Sequence, residues 1–291
     1  MSPSSRPEGE LHRSAQRESI PAGAAAPRLH VESVGAGAPL VLLHGWGMHG
    51  GLFAPVLPAL AQRRRVHVVD LPGHGYSAPL APLTLEGIAG ELDAAFAHES
   101  EPLDVLGWSL GGAVALHFTA TRRRRVARLV LVATTPSFVV RVGWPHAMEP
   151  RTLAMFGDEL RVAHRLTLQR FLTLQVQGSE AGRATLATLR HELFARAAPS
   201  SATLSSVLRI LADTDLREDV RTIAAPTLVV TGERDALTPA AAGAWLAHAM
   251  PNARHVDIPG AAHAPFLSHR DAFTGAVTSF LDVDTPQLFR A

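Results

Sequence analysis

Residues 103–121 read LDVLGWSLGGAVALHFTAT, and the reading of this stretch decides the fold. Leu103 to Leu106 is a short apolar run that fits a buried strand. Gly107-Trp108-Ser109-Leu110-Gly111-Gly112 then turns the chain, and from Ala113 the sequence is apolar and compatible with a helix. A serine flanked by glycines two positions away on each side, on a strand-to-helix turn, is the G-x-S-x-G nucleophile elbow. Such a turn holds its serine in strained backbone geometry, and a Cβ at either glycine would collide with its neighbours. In return Oγ stands clear of the main chain. The next amide, Leu110 N–H, points where an oxyanion would form, at a helix N-terminus whose partial charge is positive. The alternative is an ordinary Gly-rich turn with a solvated serine. The strand-then-helix context and the partners found downstream favour the elbow.

A serine is a weak nucleophile until a base takes its proton, and the base needs a third group to fix its tautomer. On the elbow the chain order of the three is Ser, then Asp or Glu, then His. The strand expected at 227–231 runs into Gly232-Glu233-Arg234-Asp235-Ala236-Leu237-Thr238-Pro239. Asp235 occupies the loop that leaves the strand, where the acid belongs. Its bland reading is an Asx turn or a cap for a helix near Pro239, and Glu233 is a rival that lies closer to the strand end. After a last strand at 255–258 comes Pro259-Gly260-Ala261-Ala262-His263-Ala264-Pro265-Phe266. A histidine in that small-residue loop can reach both Ser109 and Asp235, which makes His263 the base. His30, His67 and His255 lie in strand patterns, and His98, His117 and His248 fall on expected helices. The second oxyanion donor is the amide of Trp46, in the loop His44-Gly45-Trp46-Gly47 after the second strand. The indoles of Trp46 and Trp108 either line the pocket or pack the core.

Bulk properties narrow the class. Of 291 residues 47% are hydrophobic and 18% charged, as in a globular protein whose α/β core can run this long as one domain. No apolar run approaches the roughly 20 residues that cross a bilayer, so no membrane partner is expected. A formal net charge of +1 argues against wholesale nucleic-acid binding. The absence of cysteine excludes disulfides, thiol catalysis and thiolate metal sites. The fifteen histidines show no H-x-x-x-H or H-E-x-x-H spacing, so no metal is expected.

Taken in order, residues 1–27 are rich in Ser, Arg, Pro, Gly and Ala without apolar periodicity or a signal-peptide core. They are expected to be a disordered extension of a cytoplasmic protein. Strands are expected at 29–34, 39–43, 66–69, 103–106, 126–132, 227–231 and 255–258, with helices at 53–61, 85–98 and 272–281 between and after them. Short β-branched runs alternating with helices mean a mostly parallel sheet covered on both faces. The arginine runs 63–65 and 122–125 are expected as exposed loop charges away from the site. Residues 137–215 break the rhythm with helical pattern alone, at 151–156, 159–177, 179–197 and 202–213. The domains expected are therefore an α/β core in two parts, 28–136 and 216–282, a helical cap at 137–215, and a tail at 283–291. The cap would lie over the strands' C-terminal edge, where open α/β sheets bind ligands.

These motifs resemble those of the α/β-hydrolase superfamily over about residues 29–281. The carrying segments include Leu40-Val41-Leu42-Leu43-His44-Gly45-Trp46-Gly47, Val69-Asp70-Leu71-Pro72-Gly73 and the elbow. Trp46, Trp108 and the run Arg170-Phe171-Leu172-Thr173-Leu174-Gln175 narrow the resemblance. They point to esterases that cleave the methyl ester of a pimeloyl chain borne by acyl-carrier protein in biotin synthesis. The resemblance implies a serine carboxylesterase without cofactor, with substrate contacts at Trp46, Ser109, Leu110, Phe171, Leu172, Thr173, Leu174, Gln175 and His263. The partner it implies is an acidic carrier protein, which Arg165, Arg170 and Arg183 on the cap would steer in, and the enzyme is expected to be a monomer. The alternatives kept open are a broad short-chain carboxylesterase without a carrier partner, and a non-catalytic binding protein of the same fold. A carboxylate-dependent epoxide or haloalkane hydrolase is excluded by the serine at the elbow.

Overall fold

The computed structural model describes residues 28–282. The expected extension at 1–27 and tail at 283–291 lie outside the described residues. The strands are β1 (Val31–Val34), β2 (Ala38–Leu43), β3 (Arg64–Val69), β4 (Leu103–Trp108), β5 (Val126–Val132), β6 (Thr227–Gly232) and β7 (Ala253–Ile258). They form one sheet in the order β1-β3-β2-β4-β5-β6-β7, in which only the edge pair β1–β3 is antiparallel. The central strands β4 and β6 are buried along their whole length, because helices cover both faces and leave no room for alternating polarity.

The helices are α1 (Leu57–Leu60), α2 (Leu85–Ala95), α3 (Leu110–Thr121), α4 (Pro150–Gln175), α5 (Gly182–Ala195), α6 (Ser201–Asp213), α7 (Ala240–Ala249), α8 (Pro265–Ser268) and α9 (Arg270–Leu281). Thr84 caps α2 by accepting from Gly87 N, and Ser200 caps α6 by accepting from Thr203 N, each at 3.0 Å. The chain leaves β2 to build β3 on one side and then crosses to build β4 on the other. The loops after β2 and β4 therefore flank a crevice at a reversal of strand order, which is where open α/β sheets place their ligands.

Several expectations are corrected. The helix expected at 53–61 is instead a 3-10 turn, Gly50–Phe53, followed by the single turn α1. Pro55 and Pro58 withdraw the amides that a continuous helix would need. The two helices expected at 151–156 and 159–177 are one, α4, bent at Ala163 (φ −140°, ψ 51°) rather than at Gly157. The bend puts Leu153 and Leu160 of the first half and Leu168, Leu172 and Gln175 of the second on buried faces. The stretch before α4 is not purely helical either, since isolated bridges join Val139 to Met148 and Arg141 to Trp144. His98 lies past the end of α2, in a turn. Arg64 and Arg65 are not loop charges. They open β3, where Arg64 meets the buried carboxylate of Asp104 at 3.3 Å and Arg65 pairs with Glu99.

Candidate active site

Three loops at the C-terminal ends of β4, β6 and β7 bring Ser109, Asp235 and His263 together. Ser109 occupies the cap position of α3 with φ 55° and ψ −116°. An ordinary capping serine folds its hydroxyl back onto the helix amides. Here the side chain makes no capping bond, and Oγ donates instead to His263 Nε2 at 2.9 Å. The glycines make that turn possible by leaving room. A Cβ on Gly107 would lie 2.3 Å from Gly111 O, and one on Gly111 would lie 2.2 Å from Leu43 O. The Ser109 amide remains in the sheet pattern by donating to Val132 O at 2.9 Å, and Thr134 Oγ donates to Ser109 O at 2.8 Å.

His263 Nδ1–H donates to Asp235 Oδ2 at 2.8 Å, which leaves Nε2 as the acceptor facing serine. The other oxygen of Asp235 accepts from Leu237 N at 2.8 Å and Thr238 N at 3.0 Å, and Thr238 Oγ donates to Oδ2 at 2.6 Å. Asp235 thus makes both sets of contacts at once: Oδ1 closes an Asx turn while Oδ2 accepts from the imidazole. Burial alone would raise its pKa, but the His263 imidazole and the bonds from Thr238 outweigh burial and hold the carboxyl below the ordinary aspartate value. Glu233 makes no contact with His263 and accepts from Gly260 N at 2.8 Å.

The main chain of His263 is held as well. His263 N donates to Gln175 O at 3.1 Å, and the Trp108 indole donates to His263 O at 2.7 Å. Trp108 is buried, packed against Phe266 and beside the His263 ring, so its place is behind the base rather than in the pocket wall. Of the two alternatives left open for the Trp108 indole, the structure shows core packing. Thr238 is a support that motif reading passes over, and the Asp235-to-Thr238 spacing was the available signal for it.

In the loop after β2, His44 Nδ1–H donates to Gly45 O at 2.8 Å and His44 Nε2 accepts from Leu71 N at 2.9 Å. Gly45 O and Trp46 N belong to one planar peptide unit, so this bond also sets the direction of the Trp46 amide. Burial, with help from neighbouring His74, drives the His44 pKa down to about 3, so the ring stays neutral and keeps its acceptor. The Trp46 indole is buried, donates to Leu204 O at 3.1 Å and meets the Phe171 ring edge-on at 4.7 Å.

The five residues 171–175 do not share one face. The Phe171 ring meets Trp46, Gln175 touches His263 through its main-chain carbonyl, and Leu172 is buried. Thr173 and Leu174 instead line a groove of about 510 Å³ with Thr152, Met155, Phe156, Glu159 and Arg170. The Gln175 side chain is buried, and neither Oε1 nor Nε2 has a partner among the described residues. Arg165, Arg170 and Arg183 are exposed on α4 and α5. Arg170 pairs with Glu159 at 3.2 Å, and the Arg165 guanidinium lies 4.5 Å from the Phe194 ring centre. Among the described residues no cluster of His, Asp or Glu could hold a metal ion, and no helix is long and apolar enough to cross a membrane.

Comparison with known proteins agrees with this geometry. The family model described as the alpha/beta hydrolase fold matches residues 38–270. A pimeloyl-[acyl-carrier protein] methyl ester esterase of Chromobacterium violaceum is 43% identical, covering 87% of this chain and 98% of the relative. The protein of the same name from Nitrosomonas europaea is 44% identical over 84% of this chain and 96% of its own. Among solved structures, an esterase from Exiguobacterium antarcticum shares the fold with a TM-score of 0.81 at 23% identity, covering 88% of this chain and 96% of that one. The chain belongs to the α/β-hydrolase family and, within it, to the family of the pimeloyl-[acyl-carrier protein] methyl ester esterases.

Proposed function

We propose that this protein is a serine esterase that hydrolyses the methyl ester of pimeloyl-[acyl-carrier protein], releasing methanol and the free carboxylate for biotin synthesis. The hydrogen-bonded row Ser109–His263–Asp235 carries the chemistry, and likeness along nearly the whole length of relatives bearing that name supports the substrate. Ser109 Oγ attacks the ester carbonyl while His263 Nε2 takes its proton. Asp235 holds the ring and stabilises the imidazolium. The amides of Leu110 and Trp46 receive the oxyanion, each donor being worth about 2.7–4 kcal/mol in the transition state. Methanol departs with the proton from His263, and water then releases the acid by the same steps in reverse roles.

Helices α4–α6 act as the cap. Phe171 and Trp46 supply an apolar wall for the methylene chain, and the unpartnered Gln175 amide is suited to a polar group of the substrate. The exposed Arg165 and Arg183 offer an acidic carrier protein charge that, among the described residues, no ion pair neutralises as Glu159 does that of Arg170. Charge reversal at Arg165 and Arg183 is expected to raise KM for the carrier-bound ester by about 3–10-fold and to leave a short methyl ester untouched. Equal effects on both esters would favour a broad carboxylesterase. A fluorophosphonate probe that fails to label Ser109 would instead favour a binding protein.

A further inference from the structure

The end of α5 is tied to the loop that carries Trp46 by an ion pair that the reaction does not use. Arg196, the residue after α5, is 11% exposed at its side chain and points toward the sheet. Its guanidinium donates to Asp70 Oδ2 at 2.8 Å and to Glu32 Oε1 at 2.6 Å, with its face 4.7 Å from the Tyr76 ring centre. Asp70 is fully buried at the exit of β3. Its Oδ1 accepts from Gly50 N at 2.7 Å, and its Oδ2 accepts from Tyr76 N at 2.9 Å as well as from Arg196. Gly50 ends the loop that begins at His44 and contains Trp46. Next to it, His49 Nε2–H donates to Glu192 O at 2.7 Å, and His49 Nδ1 accepts from Gly51 N at 3.1 Å. The last turn of α5 therefore grips the far end of the Trp46 loop at two points, one of them through a carboxylate.

We propose that Arg196 is a positioning residue for the oxyanion hole, acting through Asp70 on the loop that aims the Trp46 amide. The reasoning rests on the esterase reading above. A buried carboxylate that loses its cation takes up a proton or admits water. A protonated carboxyl loses its charge and turns one oxygen into a donor and a weaker acceptor, so Asp70 would hold the Gly50 and Tyr76 amides less firmly. The loop end is then loosened, while Ser109, His263 and Asp235 are left where they are.

The experiment compares the full chain with Arg196→Leu and Arg196→Lys. A fluorophosphonate titration fixes the concentration of competent sites, and kcat and KM are then measured per site on a short methyl ester. The affinity of a trifluoromethyl ketone, whose adduct oxygen occupies the oxyanion hole, is measured in parallel. The expected result for Arg196→Leu is a fall of about 10–100-fold in kcat with KM within about threefold, and a matching loss of ketone affinity. Arg196→Lys restores part of both. Ketone affinity and per-site kcat within about twofold of the parent would overturn the proposal, even if fewer sites titrate, because a clamp for stability alone changes only that number. If the parent itself is not labelled at Ser109, the esterase reading fails and this inference fails with it.

Discussion

At the scale of single residues, the site works by keeping its acceptors free and its donors aimed. Asp235 is the test of the first. In Asp235→Asn the amide can donate to Nδ1, which turns the tautomer the wrong way and leaves Nε2 protonated. Steady-state kinetics on a short ester should show a fall in kcat of about 10⁴-fold, with folding intact by circular dichroism. Thr238 tests how the carboxylate is kept ionised. The folded pKa of Asp235 is lower than its unfolded one, so its network stabilises the fold above the unfolded pKa of about 4 and that contribution is lost as pH falls through the folded value. Thr238→Val removes a donor, narrows the gap between the two values, and should move the acid-unfolding midpoint to higher pH. His44 and His74 act in the same sense from a higher pH. Burial lowers them to about 3 and about 4, while the unfolded rings titrate near 6.5. The unfolded state therefore gains protons first, and stability is lost as pH drops from about 6.5 toward the folded values. Urea midpoints at pH 7 and pH 5 should differ in that sense, and the difference should shrink in His74→Phe.

At the scale of elements, the elbow is the least tolerant part of the fold. Gly111→Ala would set a methyl 2.2 Å from Leu43 O, a backbone atom that cannot swing aside. The expected cost is about 2–4 kcal/mol of unfolding free energy, read from denaturant melts, with a similar result for Gly107→Ala. A loss below about 1 kcal/mol would mean that β2 and α3 can part more easily than their contact implies. These elements were legible in the sequence because local chemistry forces them: Gly107, Ser109 and Gly111 admit few other turns, and β5 at 126–132 is apolar but for Arg128. Legibility failed where a proline or a distant neighbour decides. Pro55 and Pro58 cut the helix expected at 53–61, and a stricter weighting of their missing amides would have found that. The bend at Ala163 had no such signal, since alanine is the best of helix formers. It is set by which leucines of α4 must reach the interior on each side of it. The same holds for Asp70–Arg196, which joins residues 126 apart in sequence.

At the scale of the whole molecule, the sheet presents the loops after β2, β4, β6 and β7 along one edge, and the three helices α4–α6 close over them. Their attachments include Trp46 to Leu204 O, His49 to Glu192 O, His263 to Gln175 O and Asp70 to Arg196, beside apolar contacts such as Phe171 on Trp46. Two of these reach Trp46 and His263 directly and two hold the far end of the Trp46 loop, so the position of these helices and the alignment of the site are linked. On the proposed reading the carried chain would run beneath these helices to Ser109, and exposed arginines stand on α4 and α5. The measurement that tests this most directly is methanol release from the methyl ester of pimeloyl-carrier protein and from a free short methyl ester, with Ser109→Ala as the blank. The account predicts a much larger kcat/KM for the carrier-bound ester and loss of both activities in the blank. Equal kcat/KM on the two esters would contradict the carrier-dependent reading, and turnover surviving in Ser109→Ala would contradict the mechanism.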